Sequence, residues 1–267
     1  MPQFLHDGIA FDYVDRGQGP AFLFQHGLGA QAQQPVELAG DDLPVRLVAM
    51  SGRGHGATQP LGDPRLLSID AFADDLAALA HHLGLPRAIV GGISMGAAVA
   101  LRLAVRQPAL VERLVLVRPA WLTRPAPPHL DILRLVARHL RAAGCDGVAG
   151  FVAEPDYGRV LAQSPDNAAS LCRQFEAERP EERATVLEHV VDCDPGVSEA
   201  DLADLAMPAL VIANGEDPMH PLALAERLAR LLPGASLCRV TSKSVDPLRH
   251  GDDVRRAIAA FLAGRPC

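Results

Sequence analysis

Hydrophobic residues recur along the chain with two alternating periodicities, which predict repeated strand and helix units. Alternation of apolar and polar residues predicts a first strand within residues 8–16. Mostly apolar runs predict further strands at residues 21–25, 45–50, 88–92, 114–117 and 209–212, and a short strand is predicted at residues 236–240. Helical spacing predicts helices at residues 69–83, 95–106, 222–232 and 254–262. Units of this kind are typical of an α/β protein, with a mostly parallel sheet and helices on both faces.

The alternation of strands and helices stops between residues 117 and 209. Four prolines follow the strand at residues 114–117, at positions 119, 125, 127 and 128. Helical patterns then predominate, at residues 130–140, 168–175 and 183–191. We therefore interpret residues 119–207 as a helical cap inserted over one end of the sheet. Residues 1–118 and 208–267 would form the core domain.

The segment from residue 88 to residue 106 carries the clearest chemical signal. It contains the pattern G-x-S-x-G, formed by Gly92, Ser94 and Gly96, between a predicted strand and an alanine-rich predicted helix. In this context the pattern places a serine on a sharp turn that leaves no room for side chains at the two glycine positions. The amide groups at the start of the following helix favour negative charge near the serine. We predict that Ser94 is a nucleophile.

Composition and charge narrow the class of protein. The chain has 267 residues, of which 49% are hydrophobic, and a formal net charge of -7. These values favour a globular fold and argue against a nucleic-acid-binding surface. The N-terminal residues lack an export signal, and no apolar run is long enough to predict a membrane span. We expect a soluble, cytoplasmic protein with free thiols at its five scattered cysteines, Cys145, Cys172, Cys193, Cys238 and Cys267.

Two backbone amides are candidates for an oxyanion hole. The sequence His26-Gly27-Leu28-Gly29 follows the strand at residues 21–25, at the sheet edge where ligands bind in parallel sheets. Its glycines allow the Leu28 N–H to turn towards a pocket, where the Met95 N–H at the helix start would supply a second donor. A simple glycine-rich turn is the alternative interpretation.

A nucleophilic serine also needs an orienting acid and a base. Asp217 follows the strand at residues 209–212 and is the favoured acid, with Glu216 as its competitor. Asp217 could instead cap the next helix. The order of a triad in such a sheet is serine, acid, histidine, and only His220 and His250 follow Asp217. We favour His250 as the base because it follows the last predicted strand; His220 and an absent base are the alternatives.

Taken together, these motifs resemble those of the α/β-hydrolase superfamily, in its cap-bearing branch. The resemblance rests on four segments in order: His26-Gly27, residues 53–56 (Arg-Gly-His-Gly), residues 92–96, and residues 215–221 (Gly-Glu-Asp-Pro-Met-His-Pro). It implies an α/β-hydrolase fold with a mostly parallel eight-stranded sheet. It also implies Ser94 as nucleophile, Asp217 as acid, and Leu28 and Met95 as oxyanion donors, with no metal and no organic cofactor.

The sequence departs from the family pattern at two places. Ser51 stands where such proteins commonly carry an aspartate before the Arg-Gly-His-Gly segment. The last histidine of the family usually follows a glycine in the loop after the final strand, but this loop, residues 241–247, reads Thr-Ser-Lys-Ser-Val-Asp-Pro. Either the loop is longer and His250 folds back towards Ser94, or the triad is altered.

The favoured function is a serine hydrolase that cleaves an ester, thioester or lactone of a small apolar molecule through an acyl-enzyme on Ser94. Two alternatives stay open: a carbon–carbon bond hydrolase or cofactor-free lyase on the same fold, and a non-catalytic binding protein. His26 and Trp121 are candidate substrate contacts, although a core role is favoured for Trp121 and a structural role suits His26 at least equally well. We expect a small-molecule substrate and no nucleic-acid or membrane partner; the sequence leaves monomer and homodimer open.

Overall fold

The computed structural model describes residues 1–266 and contains one eight-stranded sheet. The strands are β1 Gln3–His6, β2 Ile9–Gly17, β3 Ala21–Gln25, β4 Arg46–Met50, β5 Ala88–Ile93, β6 Val111–Val117, β7 Ala209–Ala213 and β8 Ala235–Arg239. Their order across the sheet is β1-β2-β4-β3-β5-β6-β7-β8. The pairs β1–β2 and β2–β4 are antiparallel, and every other pair is parallel. The predicted mostly parallel, eight-stranded sheet is thereby confirmed.

Helices cover both faces of this sheet. They are α1 Gln33–Ala39, α2 Ile69–His82, α3 Met95–Arg106, α4 Asp131–Ala143, α5 Val148–Val152, α6 Pro155–Gln163, α7 Pro165–Cys172, α8 Pro180–Asp192, α9 Glu199–Asp204, α10 Leu222–Leu231 and α11 Pro247–Leu262. One apolar cluster joins α1 and α11 to one face, and a larger one joins α2, α3 and α10 to the other. In β3, Phe22 and Phe24 belong to the first cluster and Leu23 to the second. Burial on both sides explains why the central strands are continuous apolar runs.

Residues 119–207, here called the helical segment, run between β6 and β7 and contain α4 to α9. This part of the chain is fully described and contains no strand. Helices α4 and α8 pack together through buried side chains such as Val136 and Leu187. The same apolar cluster continues into α2 and α3, so the segment has no separate core. The division into a core domain and a cap therefore stays a prediction.

Helix α11 begins at Pro247, well before the residue 254 that apolar spacing predicts. Asp246 caps its first turn by accepting a hydrogen bond from the Arg249 N–H, and Pro247 occupies the first helical position. Both residues are strong helix-start signals, and neither is apolar. The consequence is that His250 lies inside a helix instead of in the loop before it.

The cysteines differ from expectation at one position. Cys145, Cys172 and Cys193 are free thiols, as predicted, but Cys238 in β8 is disulfide-bonded. Cys267 lies outside the described residues. The prediction of five free thiols is wrong, because spacing along the sequence does not show which cysteines meet in space. None of the helices within residues 1–266 is long and apolar enough to cross a lipid bilayer.

Candidate active site

Ser94 lies on a sharp turn between β5 and α3, with an unusual backbone conformation. Its φ is 56° and its ψ is -110°, a region that non-glycine residues rarely adopt. The turn is held by hydrogen bonds on both sides, from the Ser94 N–H to the Val117 carbonyl (2.9 Å) and from the Ala97 N–H to the Ser94 carbonyl (3.0 Å). Strain of this kind persists only where the surrounding structure imposes it, and it is concentrated at functional sites.

The two glycines of the G-x-S-x-G pattern are required by close backbone contacts. A Cβ atom added to Gly92 would lie 2.0 Å from the carbonyl carbon of Gly96. A Cβ atom added to Gly96 would lie 2.3 Å from the carbonyl oxygen of Gln25 in β3. Neither backbone atom can move without displacing a strand or helix, so only glycine fits at these positions.

Ser94, His220 and Asp217 form one chain of hydrogen bonds. Nε2 of His220 lies 2.9 Å from Oγ of Ser94, and Nδ1 of His220 lies 2.8 Å from Oδ1 of Asp217. The carboxylate can only accept, so Nδ1 carries the ring proton and Nε2 is free to accept from the serine hydroxyl. This tautomer and order of contacts are those that a general base requires.

The favoured base was wrong: the structure does not bring His250 to Ser94. His250 lies in the first turn of α11, where its Nδ1 bonds to the Thr241 carbonyl oxygen at 2.8 Å. Burial lowers its pKa, against the opposing effect of the Thr241 hydrogen bond. Because α11 begins at Pro247, the His250 ring is fixed in the helix and cannot fold back. The alternative base named from the sequence, His220, occupies the position beside Ser94.

Asp217 is held as a carboxylate by three neighbouring side chains. Burial raises its pKa, but the His220 ring, the Arg118 guanidinium and the Asn167 amide together hold the pKa well below its usual range. Nη1 of Arg118 lies 3.4 Å from Oδ2, and Nδ2 of Asn167 donates to Oδ1 at 2.7 Å. Glu216, the competing acid, has an exposed side chain and no bond to His220 among the described residues. Asp217 is thus the orienting acid that the geometry supports.

The two predicted oxyanion donors are available. Within residues 1–266, neither the Leu28 N–H nor the Met95 N–H donates to a protein acceptor. Leu28 lines the cavity beside Ser94, and Met95 is the first residue of α3. The neighbouring amides are already used, since the Gly27 N–H donates to Oε1 of Gln34 and the Gly29 N–H donates to Nε2 of His55. A negatively charged oxygen near Ser94 would satisfy both free amides.

His26 does not contact the cavity, contrary to its place among the candidate substrate contacts. Its ring is fully buried, with Nδ1 donating to the Gly27 carbonyl (2.8 Å) and Nε2 accepting from the Gly52 N–H (2.9 Å). Burial lowers the pKa of His26 to about 4, so the ring is neutral at pH 7. The adjacent His55 ring, also buried with a lowered pKa, accepts from the Gly29 N–H. Both rings therefore hydrogen-bond to the backbone of the Gly27–Gly29 loop and hold it in position.

The cavity beside Ser94 lies between the carboxyl ends of the strands and the helical segment. Its lining residues are Gly27, Leu28, Gln34, Ile93, Ser94, Arg118, Trp121, Leu130, Leu133, Asp166, Asn167, Ser170, Leu171, Arg173, Gln174, Met219, His220 and Lys243. Trp121, the other candidate substrate contact, is 1% exposed and lines the cavity. Within residues 1–266, no cluster of three or more His, Cys, Asp or Glu side chains could hold a metal ion.

At Ser51, where the family pattern commonly has an aspartate, a residue of a neighbouring strand supplies a carboxylate. Oγ of Ser51 donates to Oδ2 of Asp12 at 2.9 Å, and the Ser51 hydroxyl accepts from the Ala32 N–H. Asp12 in β2 is 1% exposed and also accepts from Thr58. The buried carboxylate thus comes from β2, and Ser51 is hydrogen-bonded through its hydroxyl to both Asp12 and Ala32.

Sequence reasoning missed three polar residues around the triad. Arg118 directly follows β6, so the rule that sites form at the carboxyl ends of strands could have indicated it. Asn167 lies in α7 of the helical segment, and no local pattern connects it to Asp217. Lys243 forms an ion pair with Asp166 at 2.9 Å. It occupies the loop after β8, where the resemblance leads one to expect the histidine.

Comparison with known proteins defines the family. Residues 20–244 match the model of the α/β-hydrolase fold family. The chain therefore belongs to the α/β-hydrolase family, as the sequence motifs predict.

Relatives and solved structures agree with this assignment. The chain is 35% identical over 263 residues to the pimeloyl-acyl-carrier-protein methyl ester esterase of Aromatoleum aromaticum, covering 92% of this chain and 99% of the relative. It is 25% identical to the 3-oxoadipate enol-lactonase 2 of Acinetobacter baylyi, covering 95% and 93% of the two chains. The structure of a thermophilic esterase from Thermogutta terrifontis superimposes with a TM-score of 0.76 at 26% identity, covering 98% and 96%. The chain is accordingly a hydrolase.

Proposed function

We propose that the protein is a serine hydrolase that cleaves a carboxylic ester, thioester or lactone of a small molecule through an acyl-enzyme on Ser94. The observation that carries this proposal is the hydrogen-bond chain from Ser94 through His220 to Asp217. A strained serine, an imidazole on its hydroxyl and a buried carboxylate on the imidazole are the parts of an activated nucleophile.

In the first step, Oγ of Ser94 attacks the substrate carbonyl carbon while Nε2 of His220 takes the hydroxyl proton. The carbonyl oxygen becomes an oxyanion, which accepts hydrogen bonds from the Leu28 and Met95 amides. The protonated His220 then gives its proton to the leaving oxygen or sulfur, and the carbon–oxygen or carbon–sulfur bond breaks. The acyl group is left on Ser94.

In the second step, water releases the acyl group by the same route. His220 takes a proton from water, the hydroxide attacks the acyl carbon, and the oxyanion forms again at the two amides. Collapse of this intermediate breaks the bond to Oγ, and His220 returns the proton to Ser94. Asp217 stays ionised throughout, because the lowered pKa of its carboxyl keeps it a stable partner for the imidazolium.

The helical segment would act as the cap of this site. Leu130, Leu133 and Leu171 from that segment line the cavity opposite Ser94, and Met219 adds a further apolar wall. Such a wall lowers the local dielectric around the oxyanion and strengthens its hydrogen bonds. We propose that the segment holds the part of the substrate next to the carbonyl.

The names of two of the relatives favour ester chemistry. The methyl ester esterase and the enol-lactonase are both named for cleavage of a carboxylic ester bond. The alternative of a binding protein without a base depended on the missing histidine in the loop after β8, and the contact of His220 with Ser94 removes that argument. No observed contact favours carbon–carbon cleavage, and product analysis distinguishes it from ester hydrolysis.

The experiment is to mix the protein with 4-nitrophenyl acetate and record both turnover and the intact mass. We expect release of 4-nitrophenol and a transient acetyl adduct on the peptide that contains Ser94. Ser94→Ala should abolish both signals, whereas Ser236→Ala in β8 should leave both unchanged. A wild-type protein that neither turns over this ester nor reacts with a fluorophosphonate probe would contradict the proposal.

A further inference from the structure

Two residues that line the cavity each carry a buried donor atom that has no acceptor. Nε1 of Trp121 and Nε of Arg118 are buried atoms, and within residues 1–266 neither donates to any protein atom. A buried donor without a partner costs about 1–3 kcal/mol, and more when the group is charged. Donors left unsatisfied in the cavity of an enzyme are therefore candidates for contact with an acceptor on the substrate.

The charged side chains of the cavity are mostly positive. Arg118, Arg173 and Lys243 line it, whereas Asp166 is the one lining carboxylate in the described chain. Oδ1 of Asp166 lies 2.9 Å from Nζ of Lys243, and its Oδ2 lies 3.8 Å from Nη1 of Arg118. Asp166 thus has a cation on either side. This concentration of positive charge contrasts with the net charge of -7 of the whole chain.

Two of the arginines at this site lack a carboxylate partner. Within residues 1–266, neither Arg173 nor Arg183 has a carboxylate oxygen within 4 Å. Arg183 is not among the lining residues. Its Nη1 donates to Oε1 of Gln174, which does line the cavity, at 3.3 Å. Burial lowers the pKa of Arg183 to about 10, so the group is still a cation at neutral pH. Its field reaches the buried His26 and His55 rings, whose pKa values it helps to lower.

We propose that the cavity holds an anion subsite, formed by Arg118, Trp121 and Lys243, that binds a carboxylate carried by the ester, thioester or lactone substrate. The inference rests on the proposed hydrolase function, because it concerns the substrate of the same site. A carboxylate offers two oxygens and about four acceptor positions, which suits donors from an indole, a guanidinium and an ammonium. Its negative charge also balances the surplus of cations.

The subsite is placed to select the substrate without taking part in proton transfer. Arg118 follows β6 and contacts Asp217, so it lies close to the triad. Lys243 lies in the same region, because it and Arg118 both pair with Asp166. A carboxylate bound there would fix the carbonyl group relative to Ser94. Binding energy from a part of the substrate away from the reacting atoms is then used to orient the reaction.

Two substrates of the same shape test the proposal. The 4-nitrophenyl monoester of glutaric acid carries a carboxylate, and 4-nitrophenyl 5-methylhexanoate replaces that carboxylate by an isopropyl group of similar shape. We expect the wild-type protein to prefer the anionic ester in kcat/KM by about tenfold or more, as one charge-assisted contact would give. Added salt should reduce the preference.

Substitutions in the subsite should reduce the same preference. Lys243→Gln removes a charge, and Trp121→Phe removes the N–H but keeps an aromatic ring. Each should lower the ratio of kcat/KM for the two esters by about three- to tenfold. Arg138→Gln is the matched control: Arg138 is an exposed arginine of α4 that does not line the cavity, so the ratio should not change.

A measurement on the wild-type protein alone needs neither ester turnover nor a substituted variant. Glutarate should slow fluorophosphonate labelling of Ser94 in the wild-type protein, and 5-methylhexanamide should do so only at higher concentration.

Hydrolysis of both esters with no preference for the anion, and no protection by glutarate, would overturn the inference and leave the hydrolase function intact. If neither ester reacts and no probe labels Ser94, the hydrolase function fails; calorimetric titration with glutarate then decides on the subsite, and absent binding overturns it.

Discussion

Nδ1 of His220 lies 2.8 Å from Oδ1 of Asp217, so two neighbouring residues of one loop after β7 form the acid–base pair. The same Oδ1 accepts from the His220 backbone N–H at 3.1 Å, which turns the loop so that the ring faces Ser94. The resemblance to the family leads one to expect the histidine in the loop after β8. In this chain that loop supplies Lys243, which pairs with Asp166 of the helical segment.

The first prediction concerns the turn at Ser94. Gly96→Ala should destabilise the protein by about 3 kcal/mol or more, because the new Cβ would lie 2.3 Å from the Gln25 carbonyl oxygen. Equilibrium unfolding in urea measures the change. Gly158→Ala is the control: Gly158 lies in α6 with no atom within 4 Å of an added Cβ. It should stabilise the protein by about 0.5–1 kcal/mol. Equal effects of the two substitutions would contradict the packing argument.

This turn is also the part of the molecule that the sequence predicts best. Gly92, Ser94 and Gly96 are consecutive in a short motif, and their role follows from local sterics alone. The central strands are equally predictable, because burial on both faces makes them continuous apolar runs. Short elements such as β1, α5 and α6 were not predicted, since each is too short to show a clear periodicity.

The base was misassigned for a physical reason that particular residues make clear. Asp217 and His220 are three residues apart, and the objection to pairing them is that so short a segment must turn sharply to bring the ring to the carboxylate. The tight turn at Asp217 overcomes that objection, and a turn of this kind has no periodic signature. The start of α11 can be predicted from Asp246 as a capping residue and Pro247 as a first helical residue. This start places His250 inside the helix and excludes it as the base.

The second prediction concerns Asn167, through which the helical segment contacts the triad. Its Nδ2 donates to Oδ1 of Asp217 at 2.7 Å, and the residue is 3% exposed. Asn167→Leu should lower kcat by about tenfold, because Asp217 loses a donor and His220 loses orientation. Asn167→Asp should be worse, since a second carboxylate against Asp217 raises the pKa of the pair. Steady-state kinetics with 4-nitrophenyl acetate measures both. Two variants with wild-type kcat would show that this contact does not position the triad.

The third prediction follows from the neutral, buried His26. Its pKa is lowered from 6.5 to about 4 in the folded protein, so the unfolded chain binds a proton more readily. The stability contribution is therefore complete above about pH 6.5 and is lost as the pH falls towards 4. Between pH 7 and 4.5 this one group should reduce the free energy of unfolding by about 2 kcal/mol.

The test compares urea unfolding of wild type and His26→Gln at both pH values. The glutamine amide does not titrate, so the variant should lose less stability on acidification, even if it is less stable at pH 7. His81→Gln is the matched control, because His81 lies at the exposed end of α2. An unchanged pH dependence in His26→Gln would show that His26 is not the group responsible.

The central claim is that His220, and not His250, activates Ser94. The most direct measurement is the rate of fluorophosphonate labelling in wild type, His220→Ala and His250→Ala, with circular dichroism to confirm that each variant is folded. His220→Ala should label at least about 10³-fold more slowly, as expected when a triad loses its base. His250→Ala should label within a fewfold of wild type, because its ring bonds only to the Thr241 carbonyl among the described residues. Rapid labelling of His220→Ala together with slow labelling of folded His250→Ala would contradict the account.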